Sequence, residues 1–349
     1  MRLIEKVWFN GHNAKWLVVP LLLPLTLLFA LLSMLRRFFY RTGVFTSVRV
    51  NKPVIVVGNI GVGGNGKTPV VIFLIAQCKK LGLTPGVISR GYGGNAPYYP
   101  YLLNDQSTAV ESGDEPLLIY QRCHVPVAVG ADRIASAQLL ISQGCNIIIA
   151  DDGLQHYRLA RELELIVIDD KRRFGNGLLL PAGPLREGQW RLKQADFLVI
   201  NKMSQINKTQ TTEDVSVFVS EKTPVLTMTL QPSIVCNVLS GEQITLAVFI
   251  QTHQQVNAIA GIGDPQRFFN TLNQQGFILN HQQGFVDHHH FNENDFVTFK
   301  HDIPLLMTEK DVVKCQKFAK ENWWYVPVDA EFSARDKKTL ASKISQLID

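Results

Sequence analysis

The sequence predicts an α/β protein: a mostly parallel sheet with helices on both faces, then a smaller C-terminal α/β unit, with one apolar helix at the N-terminus. Three observations carry this. Branched apolar runs of strand length alternate with helix-compatible stretches through residues 54–200, the alternation recurs on a smaller scale in the last third, and residues 17–35 form nineteen uncharged positions in a row. The expected division is 1–45 for a membrane-attachment helix and basic collar, 46–225 for the main domain, and 226–349 for the smaller one, with a hinge hairpin near 225–240. A chain of 349 residues with 46% apolar content can fill two cores.

The first element is the run LVVPLLLPLTLLFALLSML, bracketed by Lys15 on one side and Arg36 and Arg37 on the other. At the helical rise it reaches about 28 Å, close to the hydrocarbon thickness of a bilayer. Pro20 and Pro24 disturb a spanning helix, so a tilted or shallow interfacial helix stands beside the span as a reading. A cleaved signal peptide fits less well, because no A-x-A site follows, and a buried hairpin of core helices is the remaining reading. Arg2, Lys6 and Lys15 nearly balance Arg36, Arg37 and Arg41, so flanking charge does not orient the segment.

The next element decides the chemistry. VGNIGVGGNGKTPVV, residues 57–71, has the spacing G-x-x-x-x-G-K-T, with four glycines among Gly61, Val62, Gly63, Gly64, Asn65 and Gly66. Backbone N–H groups wrap a polyphosphate only where side chains leave room, while Lys67 supplies a point charge and Thr68 a ligand for Mg²⁺. A strand at 54–57 precedes the loop and a helix over 69–81 follows it, with Pro69 in the first turn and Gly82 at the stop. This context makes the main domain P-loop NTPase-like. Its need for ATP places the body in the cytosol.

Further strands are expected at 84–88, 125–129, 146–150, 163–168 and 196–200. Arg90 and Arg133 lie just beyond two of them, where doubly wound sheets bind ligands, and either suits a phosphoryl oxygen. NIIIADDGLQH, residues 146–156, ends a buried strand in Asp151 and Asp152, placed for the Mg²⁺ shell, with Gln155 and His156 beside the same cleft. SGDEP, residues 112–116, offers Asp114 and Glu115 as general base or metal contact. VDHHHF, residues 286–291, reads as an Asp–His pair that removes a hydroxyl proton, as a zinc site, or as exposed loop histidines. Asn201 and Lys202 begin an N-K-x-D-like motif, but position 204 is Ser, which weakens a GTPase reading.

A polar stretch from 203 to 214 closes the main domain, and two extended runs, 225–230 and 234–239, suit the hinge hairpin. The smaller domain has strands near 257–260, 303–307 and 324–328, and helices near 265–275, 311–321 and 334–347. AGIGDPQRFF, residues 260–269, is read as a tight strand-to-helix turn. Five cysteines without a C-x-x-C pair read as reduced thiols. Residues 1–104 hold twelve Lys and Arg against one acid, net +11, and the remainder 23 against 29, net −6. That asymmetry implies an anionic partner near the N-terminus. Phosphates and acidic headgroups suit it better than nucleic acid, for which no recognition module is present.

Taken together, VGNIGVGGNGKTP, ISRGYGG, ESGDEP, GADR, DDGLQH, PAGPLRE, AGIGDPQRFF, VDHHHF and MTEKD resemble the tetraacyldisaccharide 4'-kinase family, the lipid A kinases of Gram-negative inner membranes. The motifs run from about residue 50 to about 315. The resemblance implies transfer of the ATP γ-phosphate to the 4'-hydroxyl of an acylated glucosamine disaccharide 1-phosphate at the cytoplasmic face of the inner membrane. It implies Lys67 and Thr68 on phosphate and Mg²⁺, Asp151 and Asp152 on the metal side, and Asp114 with His288 as the base pair, the first histidine after the Asp. Gly61 and Asn65 stand where Thr is common, and Gly188 where Pro is usual. A membrane-tethered nucleotide switch acting on a partner protein is the alternative of another class.

Overall fold

The computed structural model describes residues 3–202, 223–299 and 302–348. The polar stretch expected at 203–214 lies outside them. Two N-terminal helices, α1 (Leu3–Phe9) and α2 (Lys15–Arg41), precede a nine-stranded sheet. Its core is parallel: β1 (Val54–Gly58), β2 (Pro85–Ser89), β4 (Val127–Val129), β5 (Ile147–Asp151), β6 (Leu163–Asp169), β7 (Phe197–Lys202) and β8 (Val225–Pro232). Short β3 (Tyr101–Leu102) and β15 (Val328–Phe332) close the two edges antiparallel.

These strands are apolar along their length because both faces are covered. β1, β2 and β5 are buried at every position. On one face lie α3 (Lys67–Lys80) and α5 (Asp114–Cys123), on the other α6 (Arg133–Ser142). α3 buries Val70, Val71, Leu74, Ile75 and Cys78, the spacing of one helical stripe. All five cysteines are free, and burial pushes the Cys78 thiol up to about 12.

A second, six-stranded sheet holds β9 (Ile234–Asn237), β10 (Gln243–Thr245), β11 (Gln255–Ala260), β12 (Ile278–Gly284), β13 (Leu305–Thr308) and β14 (Trp323–Val326). Its helices are α7 (Leu246–Thr252), α8 (Pro265–Gln275) and α9 (Glu309–Cys315). The helix expected at 311–321 begins earlier, because Thr308 Oγ1 caps it by accepting the Asp311 N–H.

Residues 225–230 and 234–239 do not form a hairpin. β8 pairs with β7 and β15 in the large sheet, whereas β9 pairs with β10 and β14 in the small one. The chain crosses between sheets at Ser233 and returns at Pro327, so residues 225–232 and 328–332 belong to the large sheet, against the expected division at 226. The C-terminal helix α10 (Ala334–Ser345) packs against α3. One continuous set of buried side chains runs from Leu74 and Val199 through Phe291 and Met307 to Trp323, joining the two units.

α2 remains one helix despite Pro20 and Pro24, and Thr26 is its only buried residue. It is long and apolar enough to cross a membrane.

Phe332 on the returning strand is 5% exposed and its ring lies 4.5 Å from that of Phe73 on α3. Phe332→Ala is expected to lower unfolding free energy by about 3 kcal/mol, read by denaturant or thermal melts. A loss below about 0.5 kcal/mol would mean that the return to the large sheet is not a packed element.

Candidate active site

β1 ends at the middle of the large sheet, between β5 and β6, and the chain turns through 59–66 into α3. Gly66 has φ +87°, and a Cβ there would come within 2.6 Å of Asn201 Nδ2. Conformation and crowding both demand glycine. Gly63 has φ +102°, with Arg172 Nη1 2.6 Å from where its Cβ would stand. The loop is braced from two sides: Val62 N–H donates to Pro184 O at 2.9 Å, Arg186 N–H donates to Ile60 O at 2.7 Å, and Asn201 Nδ2 donates to Asn65 O at 3.2 Å.

Lys67 opens α3 with its Nζ 3.4 Å from Asp152 Oδ1, and Arg186 Nη1 donates to both Asp152 oxygens at 3.1 and 2.9 Å. Burial raises the Asp152 carboxyl, but the Lys67 and Arg186 charges outweigh it and hold the group below the usual carboxylate range. Asp152 also has φ +48°, a left-handed conformation held in place by these partners.

Asp151, the last residue of β5, lies beside Val57 in register and is 1% exposed. Its Oδ2 accepts from Ser89 Oγ at 3.5 Å, while Oδ1 is buried without a partner. Burial, then the Glu115 charge, push its carboxyl up to about 7. An orphaned buried carboxylate oxygen at the strand end beside Asp152, with Thr68 in the first turn of α3 after the glycine loop, is a donor set that fits Mg²⁺, which takes one or two carboxylates and fills its shell with phosphate and water.

Arg133 opens α6, is 3% exposed and donates from Nη2 to Asp151 O at 3.1 Å, leaving Nη1 without a partner. Burial pulls its guanidinium down to about 10. Arg90 follows β2 and is exposed. Gln155 Nε2 donates to Asn59 O at 3.0 Å and to Glu187 Oε2 at 3.2 Å, and burial pulls His156 down to about 4.

The second half of the site spans both sheets. Asp114, first residue of α5 and 8% exposed, accepts from His288 across 3.1 Å between Oδ2 and Nδ1. His288 has φ +61° and its ring contacts Tyr92, with centroids 5.5 Å apart. The neighbouring histidines go elsewhere: His289 Nε2 lies 3.1 Å from Asp295 Oδ2 and stacks on Phe285, and His290 is exposed. The zinc reading therefore fails, because His288 and His289 turn to different carboxylates; among the described residues no group of three His, Cys, Asp or Glu converges on a metal.

Several residues here escaped the sequence reading. Lys310 Nζ reaches Glu115 Oε1 at 3.1 Å and Asp287 Oδ1 at 3.2 Å, and Lys314 Nζ lies 3.4 Å from Asp114 Oδ2. The GDPQR stretch does more than turn the chain, since Arg267 pairs with Asp169 and donates to Asn201 Oδ1 at 3.1 Å, tying the small sheet to the bracing of the loop. MTEKD and AGIGDPQRFF mark these places in the sequence, but spacing alone assigns none of these residues a partner.

A family model described as tetraacyldisaccharide-1-P 4'-kinase matches residues 18–349. A tetraacyldisaccharide 4'-kinase from Colwellia psychrerythraea is 61% identical over 98% of this chain and 97% of its own length. One from Vibrio vulnificus is 43% identical over 99% and 98%. The crystal structure of apo-form LpxK from Aquifex aeolicus in complex with ATP superposes with a TM-score of 0.76 at 27% identity, covering 94% of this chain and 99% of that one.

Gly66→Ala is expected to weaken ATP binding at least about tenfold, or 1.4 kcal/mol, in a nucleotide titration. Unchanged affinity would show that the left-handed turn at Gly66 does not shape the phosphate cradle.

Proposed function

The chain belongs to the tetraacyldisaccharide-1-phosphate 4'-kinase family, and from that premise we propose that it transfers the γ-phosphate of ATP to the 4'-hydroxyl of tetraacyldisaccharide 1-phosphate in lipid A biosynthesis. The observation that carries this reading is the Asp114–His288 pair, which joins the unit carrying the glycine loop to the smaller one. A nucleotide switch needs the loop and the metal-side carboxylates, but has no use for a hydroxyl-activating pair.

The amides of 61–66 and Lys67 hold the phosphates, and Lys67 exchanges Asp152 for a phosphate oxygen. Thr68 and Asp151, with Asp152 beside them, would hold Mg²⁺, which when bound would neutralise phosphate charge. Arg133 and Arg90 face the same strand ends and add positive charge there. Asp114 orients His288, and the pair accepts the proton of the acceptor hydroxyl as its oxygen attacks. Glu115 anchors Lys310 beside them.

The acceptor stays in the cytoplasmic leaflet of the inner membrane, because each methylene drawn from the bilayer costs about 0.8 kcal/mol. α2 meets it there lying in the interface rather than crossing. Its midpoint is docked: Thr26 Oγ1 accepts the Ala182 N–H at 3.0 Å. Its last turns and the preceding helix are docked too, Arg37 sitting 3.4 Å from the Trp190 ring centroid and Trp8 Nε1 of α1 donating to Pro181 O at 3.2 Å. Leu17, Leu21, Leu28 and Leu32 stay exposed, an apolar surface without protein cover. Anionic headgroups meet Arg36, Arg41, Arg49 and Lys52 of the collar.

Two measurements test this. With radiolabelled ATP and the tetraacyl disaccharide in detergent, Asp114→Ala and His288→Ala are expected to lower kcat about 10²- to 10⁴-fold with ATP affinity retained; slow hydrolysis indifferent to lipid and to His288 would instead mark a nucleotide switch. Single cysteines at Lys6 and Arg41 should both react with an impermeant maleimide from the cytoplasmic side of vesicles, and protection of either by the bilayer would mean that α2 spans.

A further inference from the structure

α9 brings two lysines, one helical turn apart, to opposite ends of the proposed base pair. Lys314 Nζ lies 3.4 Å from Asp114 Oδ2 and 3.1 Å from Asp311 Oδ1, with its side chain 6% exposed. Lys310 Nζ lies 3.4 Å from His288 Nε2 and is held there by Glu115 and Asp287. An ammonium group only donates hydrogen bonds. Nε2 of His288 must then be the unprotonated nitrogen, and Nδ1 must carry the hydrogen that goes to Asp114.

We propose that Lys310 and Lys314 are positioning residues for the phosphoryl transfer: Lys314 keeps Asp114 an ionised acceptor, and Lys310 fixes His288 as the Nδ1–H tautomer with its Nε2 lone pair turned toward the acceptor hydroxyl. When the hydroxyl arrives it takes the place of Lys310 at Nε2, its proton passes to Nε2, and its oxygen forms the new bond to phosphorus as the bond to ADP breaks. Lys310 keeps Glu115 and Asp287 as partners throughout.

The surroundings agree with this. The groups facing the pair are Glu115 from α5, Asp287 from the histidine's own loop, Lys310, Asp311 and Lys314 from α9, and the Tyr92 ring. Burial raises the Asp114 carboxyl, but the hydrogen bond from His288 and the charges of Lys314 and Lys310 hold it below the usual range. Burial lowers the Lys310 ammonium, but Glu115 and Asp287 overcome it and raise the group above its ordinary value. Lys310 therefore stays a cation at any working pH. Asp311, fully buried, accepts from Gly261 N–H at 2.9 Å and from Thr308 Oγ1 at 2.6 Å, which fixes the helix that carries both lysines.

The inference rests on the reading of Asp114 and His288 as the base pair, and Asp114→Asn tests that reading separately. In the lipid transfer assay, Lys310→Met and Lys314→Met are each expected to lower kcat about 10- to 100-fold with KM for ATP within about twofold, and Lys310→Arg to recover part of the loss. Asp114 is active when ionised, above its titration. Removing the Lys314 cation raises that titration, so the acid limb of the kcat profile should move to higher pH in Lys314→Met. Wild-type kcat and pH profile in both methionine variants, with Asp114→Asn inactive, would overturn the role of the lysines; an active Asp114→Asn would overturn the base pair itself. One readout needs no folded variant of either lysine. In ¹⁵N-histidine-labelled full-length protein, with the His288 signals assigned by difference from His288→Gln, Nδ1 should carry the proton at neutral pH, and an Nε2–H tautomer would overturn the proposal.

Discussion

The hydrogen bond between Asp114 and His288 joins two residues that the chain places 174 positions apart, on units with separate sheets. Asp114 depends on the N-terminus of α5, entered through Gly113 at φ +87°, where backbone N–H groups favour a carboxylate. His288 depends on a left-handed backbone conformation between β12 and β13 of the small sheet. In the proposed mechanism the two act together as the proton acceptor for the sugar hydroxyl. The two crossings at Ser233 and Pro327, the shared buried core and the Arg267 contacts join the two units across which that 3.1 Å bond forms.

Charge placement accounts for most of the remaining design. Asp151, Asp152, Asp114, Glu115 and Asp287 would repel one another in a half-buried cleft; the carboxylates of all but Asp151 are ion-paired, with Lys67 and Arg186, Lys314 or Lys310, while Arg133 reaches Asp151 only at its backbone oxygen. Of these five, Asp151 keeps a buried oxygen without a partner, and burial keeps its carboxyl high. Phosphoryl transfer asks for such preset positive and negative positions more than for covalent help. In the proposed interfacial arrangement α2 also ties the lipid surface to this cleft, since Thr26 meets the loop of 181–184 whose other end braces the glycine loop.

Much of this was legible in the sequence, for physical reasons. Strands buried on both faces read as continuous apolar runs, so β1, β2, β5, β6 and β7 were visible, and a loop that must admit phosphate needs its glycines in a fixed order. β12 was not visible: ILNHQQG lies exposed at a sheet edge and lacks an apolar period. The partition of the last third was misread because two successive extended runs suggest a hairpin, while only tertiary packing determines that β8 and β9 part company at Ser233. In the site, residue types tied to chemistry (Lys67, Asp151, Asp114) could be named, but the roles of Asn201, Arg172, Arg267, Lys310 and Lys314 depend on long-range contacts. A lysine in MTEKD has no partner until β13 and α9 swing it against α5.

The most direct measurement of the central claim is a double-mutant cycle on kcat of the lipid transfer reaction with Asp114→Asn, His288→Gln and the pair together. Residues that act as one proton-accepting unit are non-additive, so the double variant is expected to be about as slow as the slower single one. Losses that multiply would mean that the two side chains act independently, and would contradict an active site built on their bond.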